Sequence, residues 1–143
     1  LYFEGSARAL DMQNLEAFKS AFLHQLKHFT AAFDCIYQID LMYVEAPLCN
    51  DPAVAKNIRF VVEELFGPEH YQAFKPNLGS ESFANYTERY PGAMAFLGIR
   101  NQVLGSGASL HSANFDLDES ALKYGAGVLA GFALSEIGRK QNI

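Results

Sequence analysis

The sequence predicts an α+β fold in which helices outweigh strands. Several stretches place apolar residues three and four positions apart, which is the period of one helix face. Two shorter stretches have the alternation or apolar content of strands, and turn-forming residues separate all of these elements. Half of the 143 residues are hydrophobic and 19% are charged, so the chain can bury a core.

The first predicted element is a helix that begins after Asp11, a favoured N-cap residue type. Its apolar stripe comprises Leu15, Phe18, Phe22, Leu26, Phe29 and Phe33. From Cys35 to Val44 the apolar residues recur at every second position, which predicts a strand with one face better buried than the other. Helix and strand together make a small αβ unit.

A linker at residues 46–52 has strong turn chemistry and precedes the second predicted helix. Pro52 suits the first turn of this helix, and Gly67 is a natural stop at its end. Two shorter elements are predicted next: a helix at residues 82–88 and a strand at residues 93–99.

The last predicted helix runs from about Asp118 to Ile137. Its Gly125, Gly127 and Gly131 lower helix propensity, so we expect this helix to pack closely against a sheet or another backbone. Two strands cannot cover the faces of four helices. Either the fold is mainly helical or some of its strands lie outside this sequence.

Charge and hydropathy argue against two classes of partner. The net charge is −5 and no cluster of basic residues exists, so we expect no nucleic acid as partner. The longest apolar stretch, Ala126–Leu134, is too short to span a membrane, and no charged-then-apolar leader opens the sequence. Cys35 and Cys49 form no Cys-x-x-Cys pair, which indicates a reduced, cytoplasmic protein.

Residues 1–6 resemble the cleavage site of a viral protease that is used to remove purification tags. Glu4 stands where that site usually has glutamine. We therefore expect residues 1–6 to be a tag remnant and exclude them from the fold prediction.

Two histidines on the first helix have a spacing that is typical of metal ligands. His24 and His28 are four residues apart and can bring two imidazoles to one ion. Both lie away from the aromatic stripe, among Gln25 and Lys27, so simple solvent exposure is the favoured interpretation.

Motifs for nucleotide cofactors and for serine nucleophiles fail on their context. A dinucleotide-binding fingerprint must follow a strand, and no predicted strand directly precedes Gly125, Gly127 and Gly131. The segment Gly105–Ser109 is not a Gly-x-Ser-x-Gly elbow, and no Gly-Lys-Ser/Thr phosphate loop exists.

Two polar segments remain as candidate sites. In the first, Gly79 and Ser80 form a turn whose backbone amides can face an anionic ligand, and Glu81 is its only carboxylate. The second sets His111 in a short loop before the last helix, where it can serve as the last ligand of a metal whose other ligands lie elsewhere. A structural alternative stays open, in which Gly79 only makes a turn and His111 only bonds a buried carbonyl.

At these residues the chain resembles the zinc-dependent aminoacylase and carboxypeptidase family of metallopeptidases, nearest its hippurate hydrolase and auxin-conjugate amidohydrolase branch. That branch carries Gly-Ser/Ala-Glu-Asp-Phe, Pro-Gly-Ala, Phe-Leu-Gly and Leu-His-Ser-x-x-Phe-Asp segments in this order. The matching segments here are Gly79–Phe83, Pro91–Ala93, Phe96–Gly98 and Leu110–Asp116, and Asn50–Pro52 matches a further turn of the branch. Ser82 departs from the pattern, since the branch has aspartate there.

The resemblance implies an amide hydrolase with two divalent ions, zinc or manganese, that share an activated water. His111 matches the family's closing metal ligand, and Gly79, Ser80 and Glu81 match the segment that lines its substrate site. The other metal ligands and the general base have no counterpart in this sequence. The resemblance therefore assigns no catalytic residue to this chain.

The resemblance also implies a domain organisation. Residues 7–45 match the second half of a lid or dimerisation domain, and residues 46–143 match the C-terminal helix-strand-helix part of the catalytic domain. We therefore expect a C-terminal fragment of an enzyme that acts on N-acyl amino acids or similar amides and forms homo-oligomers. The fragment itself is expected to be inactive and to bind no metal stably; the alternative is a non-catalytic interaction or dimerisation module derived from such an enzyme.

Overall fold

The computed structural model describes residues 1–42 and 45–140. Within these ranges the regular structure is helical. The α-helices are α1 at Met12–Ala32, α2 at Pro52–Phe66, α3 at Ala84–Thr87 and α4 at Leu122–Lys140. Short 3₁₀ helices at Pro68–His70 and Glu119–Ala121 follow α2 and precede α4.

The described residues form two compact units. The first comprises residues within 1–51 and 74–93, and the second comprises residues within 52–73 and 94–140. In the first unit the backbone N–H of Asp51 donates to the carbonyl of Gly92 at 2.8 Å, which ties its two chain segments together.

In the first unit, hydrogen bonds at both ends of α1 fix where this helix begins and ends. The Asp11 carboxylate accepts the N–H of Asn14 at 2.7 Å, which confirms the predicted N-cap. At the other end Asp34 has a φ of 52°, and the N–H of Cys35 donates to the carbonyl of Thr30 at 3.0 Å. This is the Schellman arrangement that commonly ends a helix, with aspartate in the position that glycine usually fills.

The second unit is organised by the packing of α2 against α4. The predicted start of α2 at Pro52 and its stop before Gly67 are confirmed, and Gly67 has the left-handed φ of 96° that suits glycine. A Cβ atom at Gly131 would lie 2.7 Å from Cγ1 of Val61, and one at Gly127 would lie 2.9 Å from Cζ of Phe66. At these two glycines α4 packs closely against α2, but the nearest atoms belong to side chains of α2 rather than to the sheet or backbone that was expected.

A buried polar side chain joins the same two helices. Asn57 is 2% exposed, and its Nδ2 donates to Oγ of Ser135 at 2.8 Å and to Oε1 of Glu136 at 2.7 Å. Because burying an amide without partners is costly, these two bonds favour one register of α2 against α4.

The two predicted strands are not present among the described residues. Residues 35–42 and 93–99 contain no strand, while Tyr43 and Val44 of the first prediction lie outside the described residues. A strand forms only when its backbone pairs with a neighbouring strand, and no strand is present over residues 1–42 and 45–140. The α+β class is therefore not confirmed, and the second alternative of the sequence analysis, strands completed by residues elsewhere, remains a prediction.

Among the described residues, none of the helices is both long enough and apolar enough to cross a bilayer.

Candidate functional site

His111 lies at a sterically unusual point of the second unit. The N–H of Ser112 donates to the carbonyl of Ser109 at 3.1 Å, which closes a turn with Leu110 and His111 at its centre. His111 has a φ of 65°, whereas Leu110 has no such left-handed φ. This combination is the pattern of a type II turn, whose third residue is normally glycine or asparagine.

The left-handed conformation of His111 costs free energy. A left-handed φ costs an ordinary residue about 1–2 kcal/mol, because its Cβ crowds the following carbonyl. Asp34, which shares this φ range, follows a helix, where such a residue completes the C-terminal hydrogen bonds. His111 has no helix to terminate. Non-glycine residues held in this way cluster at functional sites, and the imidazole is exposed to solvent.

The loop that carries His111 is closed at its base by a hydrogen-bonded cluster. The N–H of Asp118 donates to the carbonyl of Ile99 at 3.0 Å, and Nδ2 of Asn101 donates to Oδ2 of Asp118 at 2.7 Å. Ser106 is 5% exposed, and its Oγ accepts the N–H of Asn101 at 2.7 Å. The two ends of the loop are thus fixed to each other, which limits the positions that His111 can take.

Asp118 serves the loop and α4 at the same time. Its Oδ2 bonds to Asn101, and its Oδ1 accepts the N–H of Ser120 at 2.9 Å at the start of the helical segment. The hydrogen bonds from Asn101 and Ser120 stabilise the ionised carboxylate and hold the pKa of Asp118 below its ordinary value. Sequence analysis did not identify this cluster. The available signal was the local excess of Asn, Ser and Asp, which bond readily to nearby backbone.

The residues of the predicted substrate segment lie in the first unit. The N–H of Gly79 donates to Oδ1 of Asn77 at 2.6 Å, so this amide is already engaged within its own turn. The hydroxyl of Ser80 donates to the Glu45 carboxylate.

Glu81 bonds within its own segment. Its Oε1 accepts the N–H of Phe83 at 3.2 Å, and its carbonyl accepts the N–H of Ala84 at 3.0 Å. Glu81 therefore closes the turn that leads into α3. The predicted site is divided between the two units, with residues 79–81 in the first and His111 in the second.

The metal centre that the resemblance implies requires several ligand side chains close together. Over residues 1–42 and 45–140, no three His, Cys, Asp or Glu side chains come together to hold an ion. These residues therefore do not fit a two-metal centre, and His111 contributes one exposed imidazole. One pair of imidazoles is close: the ring centroids of His24 and His28 on α1 are 4.3 Å apart.

Comparison with known proteins identifies the family. Residues 13–135 match the profile of peptidase family M20/M25/M40. The chain is 31% identical over 133 residues to IAA-amino acid hydrolase ILR1-like 6 of Arabidopsis thaliana, covering 90% of this chain and 29% of that protein. It is 26% identical over 124 residues to thermostable carboxypeptidase 2 of Saccharolobus solfataricus, covering 86% of this chain and 31% of that protein.

A third relative is the N-acetyldiaminopimelate deacetylase of Lactobacillus helveticus, which is 30% identical over 93 residues. This match covers 64% of the chain and 23% of the deacetylase. The chain thus spans less than a third of the length of each of these three relatives. The match over most of the chain confirms the resemblance seen in the sequence motifs: the chain belongs to peptidase family M20/M25/M40.

Proposed function

We propose that this chain is the C-terminal part of a dinuclear metal-dependent amidohydrolase that cleaves amide bonds of N-acyl amino acids or similar compounds. Family membership over residues 13–135 supports the proposal. The relatives support the substrate class, since they are named as an IAA-amino acid hydrolase, a carboxypeptidase and a deacetylase. Hydrolysis at an acyl group is the chemistry that these three names share.

The proposal includes an assignment of the segments. Residues 1–6 are a tag remnant, residues 7–45 are the second half of a lid or dimerisation domain, and residues 46–143 belong to the catalytic domain. In the longer protein, residues 35–44 and 93–99 pair with strands from outside this chain, which restores an α+β fold. The supporting observation is the sequence pattern of these segments, which alternates in residues 35–44 and is apolar in residues 93–99.

In this proposal His111 is a metal ligand, and Gly79, Ser80 and Glu81 line the substrate site. The intact enzyme would hold two divalent ions, zinc or manganese. Because the described residues do not fit such a centre by themselves, we expect the 143-residue chain to be inactive. The intact enzyme would be a cytoplasmic homo-oligomer.

The left-handed φ of His111 is the observation in the structure that carries the proposal. A histidine in a turn position that glycine would occupy at lower energy is best explained by a role for its imidazole. The resemblance of Leu110–Asp116 to the family's metal-ligand segment supports metal binding as that role.

The test compares the 143-residue chain with the complete reading frame that contains it. Both are supplied with Zn²⁺ or Mn²⁺ and assayed for release of amino acid from N-acyl amino acids. We expect turnover from the longer protein alone and a loss of at least about a hundredfold when His111→Gln removes the ligand, because even outer-shell partners of metal ligands contribute about 10–100-fold. Equal turnover by both chains, or full activity of His111→Gln, contradicts the proposal.

A second candidate is a non-catalytic interaction or dimerisation module derived from such an enzyme. The exposed aromatic face of α1 favours it, since Phe18, Phe29 and Phe33 are all more than half exposed. The reading frame upstream separates the two candidates. A Cys-Gly-His-Asp type motif and a Glu-Glu pair in frame would support the hydrolase, and their absence would support the module.

A further inference from the structure

Two exposed histidines occupy successive turns of α1. His24 and His28 are four residues apart, and their ring centroids are separated by 4.3 Å with a 57° angle between the ring planes. Both side chains are open to solvent. We propose that His24 and His28 form a chelating site for a divalent transition-metal ion, separate from the metal centre to which His111 is assigned.

The helix supplies most of the required geometry. Side chains four residues apart project from the same face, one turn above the other. Both histidines lie well inside the 21-residue α1, whose ends are fixed by Asp11 and by the Schellman arrangement at Asp34. With their ring centroids 4.3 Å apart, the two imidazoles are close enough to reach one ion.

The ligand chemistry selects the class of ion. Neutral imidazole nitrogens suit Cu²⁺, Ni²⁺ and Zn²⁺, whereas Mg²⁺ and Ca²⁺ prefer oxygen ligands. The described residues bring no third ligand-type side chain to this pair, so water would complete the coordination. The site is therefore open and exchangeable, unlike a closed structural zinc site, and its affinity should follow the order Cu²⁺ above Ni²⁺ and Zn²⁺.

The charges on α1 act against binding. Lys27 lies between the two histidines in the sequence and places a positive charge beside the site. Towards the helix N-terminus, Glu16 and Lys19 form an exposed ion pair at 3.4 Å. Removing the charge at Lys27 should tighten the site by about two- to fivefold, the size expected for one like charge within a Debye length.

This site affects how metal binding by the chain is interpreted. An ion bound between His24 and His28 would be counted in any measurement of total metal, even though neither residue belongs to the proposed catalytic centre. The inference goes beyond the proposed function, and its test requires no hydrolase activity.

The test is a titration of the 143-residue chain with Ni²⁺, followed by calorimetry. The matched control exchanges two residues, Gln25→His together with His28→Gln. It keeps the composition and all four histidines. Adjacent residues on a helix point in different directions, so the control cannot chelate. We expect one ion per chain, with an affinity at least about tenfold above that of the control, because chelation replaces two independent contacts by one linked pair.

Two other variants check which histidines bind the ion. His70→Gln and His111→Gln should leave the tighter Ni²⁺ affinity unchanged, and Lys27→Gln should raise it. As a second readout, Cu²⁺ should broaden the nuclear magnetic resonance signals of residues around positions 24 and 28 first. An exchanged control that binds as tightly as the parent chain would overturn the proposal. So would loss of the tight site in His70→Gln or His111→Gln.

Discussion

The two longest helices of the chain, α1 and α4, have opposite surroundings. α1 has no buried residue, and the aromatic residues of its stripe face solvent, with Phe29 at 69% and Phe33 at 66% exposure. α4 places Gly127 and Gly131 against α2, and a methyl group at Gly131 would collide with Val61. Both helices carry abundant apolar residues. Apolar content therefore predicts that a helix has a partner, but it does not predict that the partner lies in the same chain.

The strongest way to test this contrast is to remove the polar link between α2 and α4. Asn57→Ala deletes two hydrogen bonds, one of them to a carboxylate, and leaves a small cavity. We expect the free energy of unfolding in urea to fall by about 3 kcal/mol. The neighbouring exposed Lys56 provides the control, since Lys56→Ala should change stability by less than about 0.5 kcal/mol. Equal stabilities of the two variants would mean that α2 and α4 do not pack as described.

A pair of identical substitutions within α4 tests the close approach. At Gly131 a Cβ atom would meet Val61 at 2.7 Å and Leu65 at 3.0 Å, whereas at Gly138 it would meet nothing within 4 Å. Gly131→Ala should therefore destabilise the chain by about 1–2 kcal/mol, because crowding exceeds the gain in helix propensity. Gly138→Ala should stabilise it by up to about 1 kcal/mol. Thermal unfolding of both variants measures the difference, and the same sign for both would contradict the packing.

Substituting glycine for His111 is expected to raise the free energy of unfolding, whereas the substitutions at packed residues lower it. His111→Gly removes the steric cost of the left-handed φ but adds freedom to the unfolded chain, so stability should rise by about 0.5–1 kcal/mol. His111→Ala retains the Cβ and should leave stability within about 0.5 kcal/mol of the parent. Urea unfolding of both variants is the measurement. Identical stabilities for glycine and alanine would show that the turn imposes no strain.

The base of the His111 loop predicts a pH dependence. Hydrogen bonds from Asn101 and Ser120 lower the pKa of Asp118 in the folded chain, so its ionised form stabilises the fold. This contribution is complete above the ordinary value of 3.8 and is lost as pH falls through the lowered pKa. Asp118→Asn should therefore reduce the amount by which the melting temperature falls in acid. Asn101→Ala should reduce it as well. Melting temperatures between pH 5 and pH 2 test this, and an unchanged acid profile in both variants would refute it.

The smallest effect on stability is expected on α1. Phe29 and Phe33 contact each other, with ring centroids 5.2 Å apart, but both are mostly exposed. Replacing both by serine should change the free energy of unfolding by less than about 0.5 kcal/mol. It should also reduce any self-association detected by light scattering, since it removes apolar surface. A loss of stability as large as that of Asn57→Ala would remove the contrast between the two helices.

Much of the helical structure could be predicted from sequence because its signals are local. Asp11, Pro52 and Gly67 mark helix ends through bonds or conformations within a few residues, and all three are found where expected. The glycines of α4 also predicted a close approach, although a helix rather than a sheet provides the contact. Helix positions and this packing therefore follow from patterns that a single sequence contains.

The remainder depends on contacts between distant residues. The strand predictions rested on alternation alone, and a strand forms only when another strand pairs with it. Asn101 bonds to Asp118 across 17 positions, and the local excess of Asn, Ser and Asp does not indicate which of these residues pair. For His111 the sequence indicated a polar loop, and its left-handed φ became visible only in the structure.

The distance in sequence between the partners of the second unit has a consequence for synthesis. Asn57 and Ser135 are separated by 78 residues. At translation rates of about 5–20 residues per second, α2 leaves the ribosome roughly 4–16 s before the part of α4 that it binds. During that interval the face of α2 that holds Val61 and Leu65 lacks its native cover and is open to chaperones or to a neighbouring nascent chain.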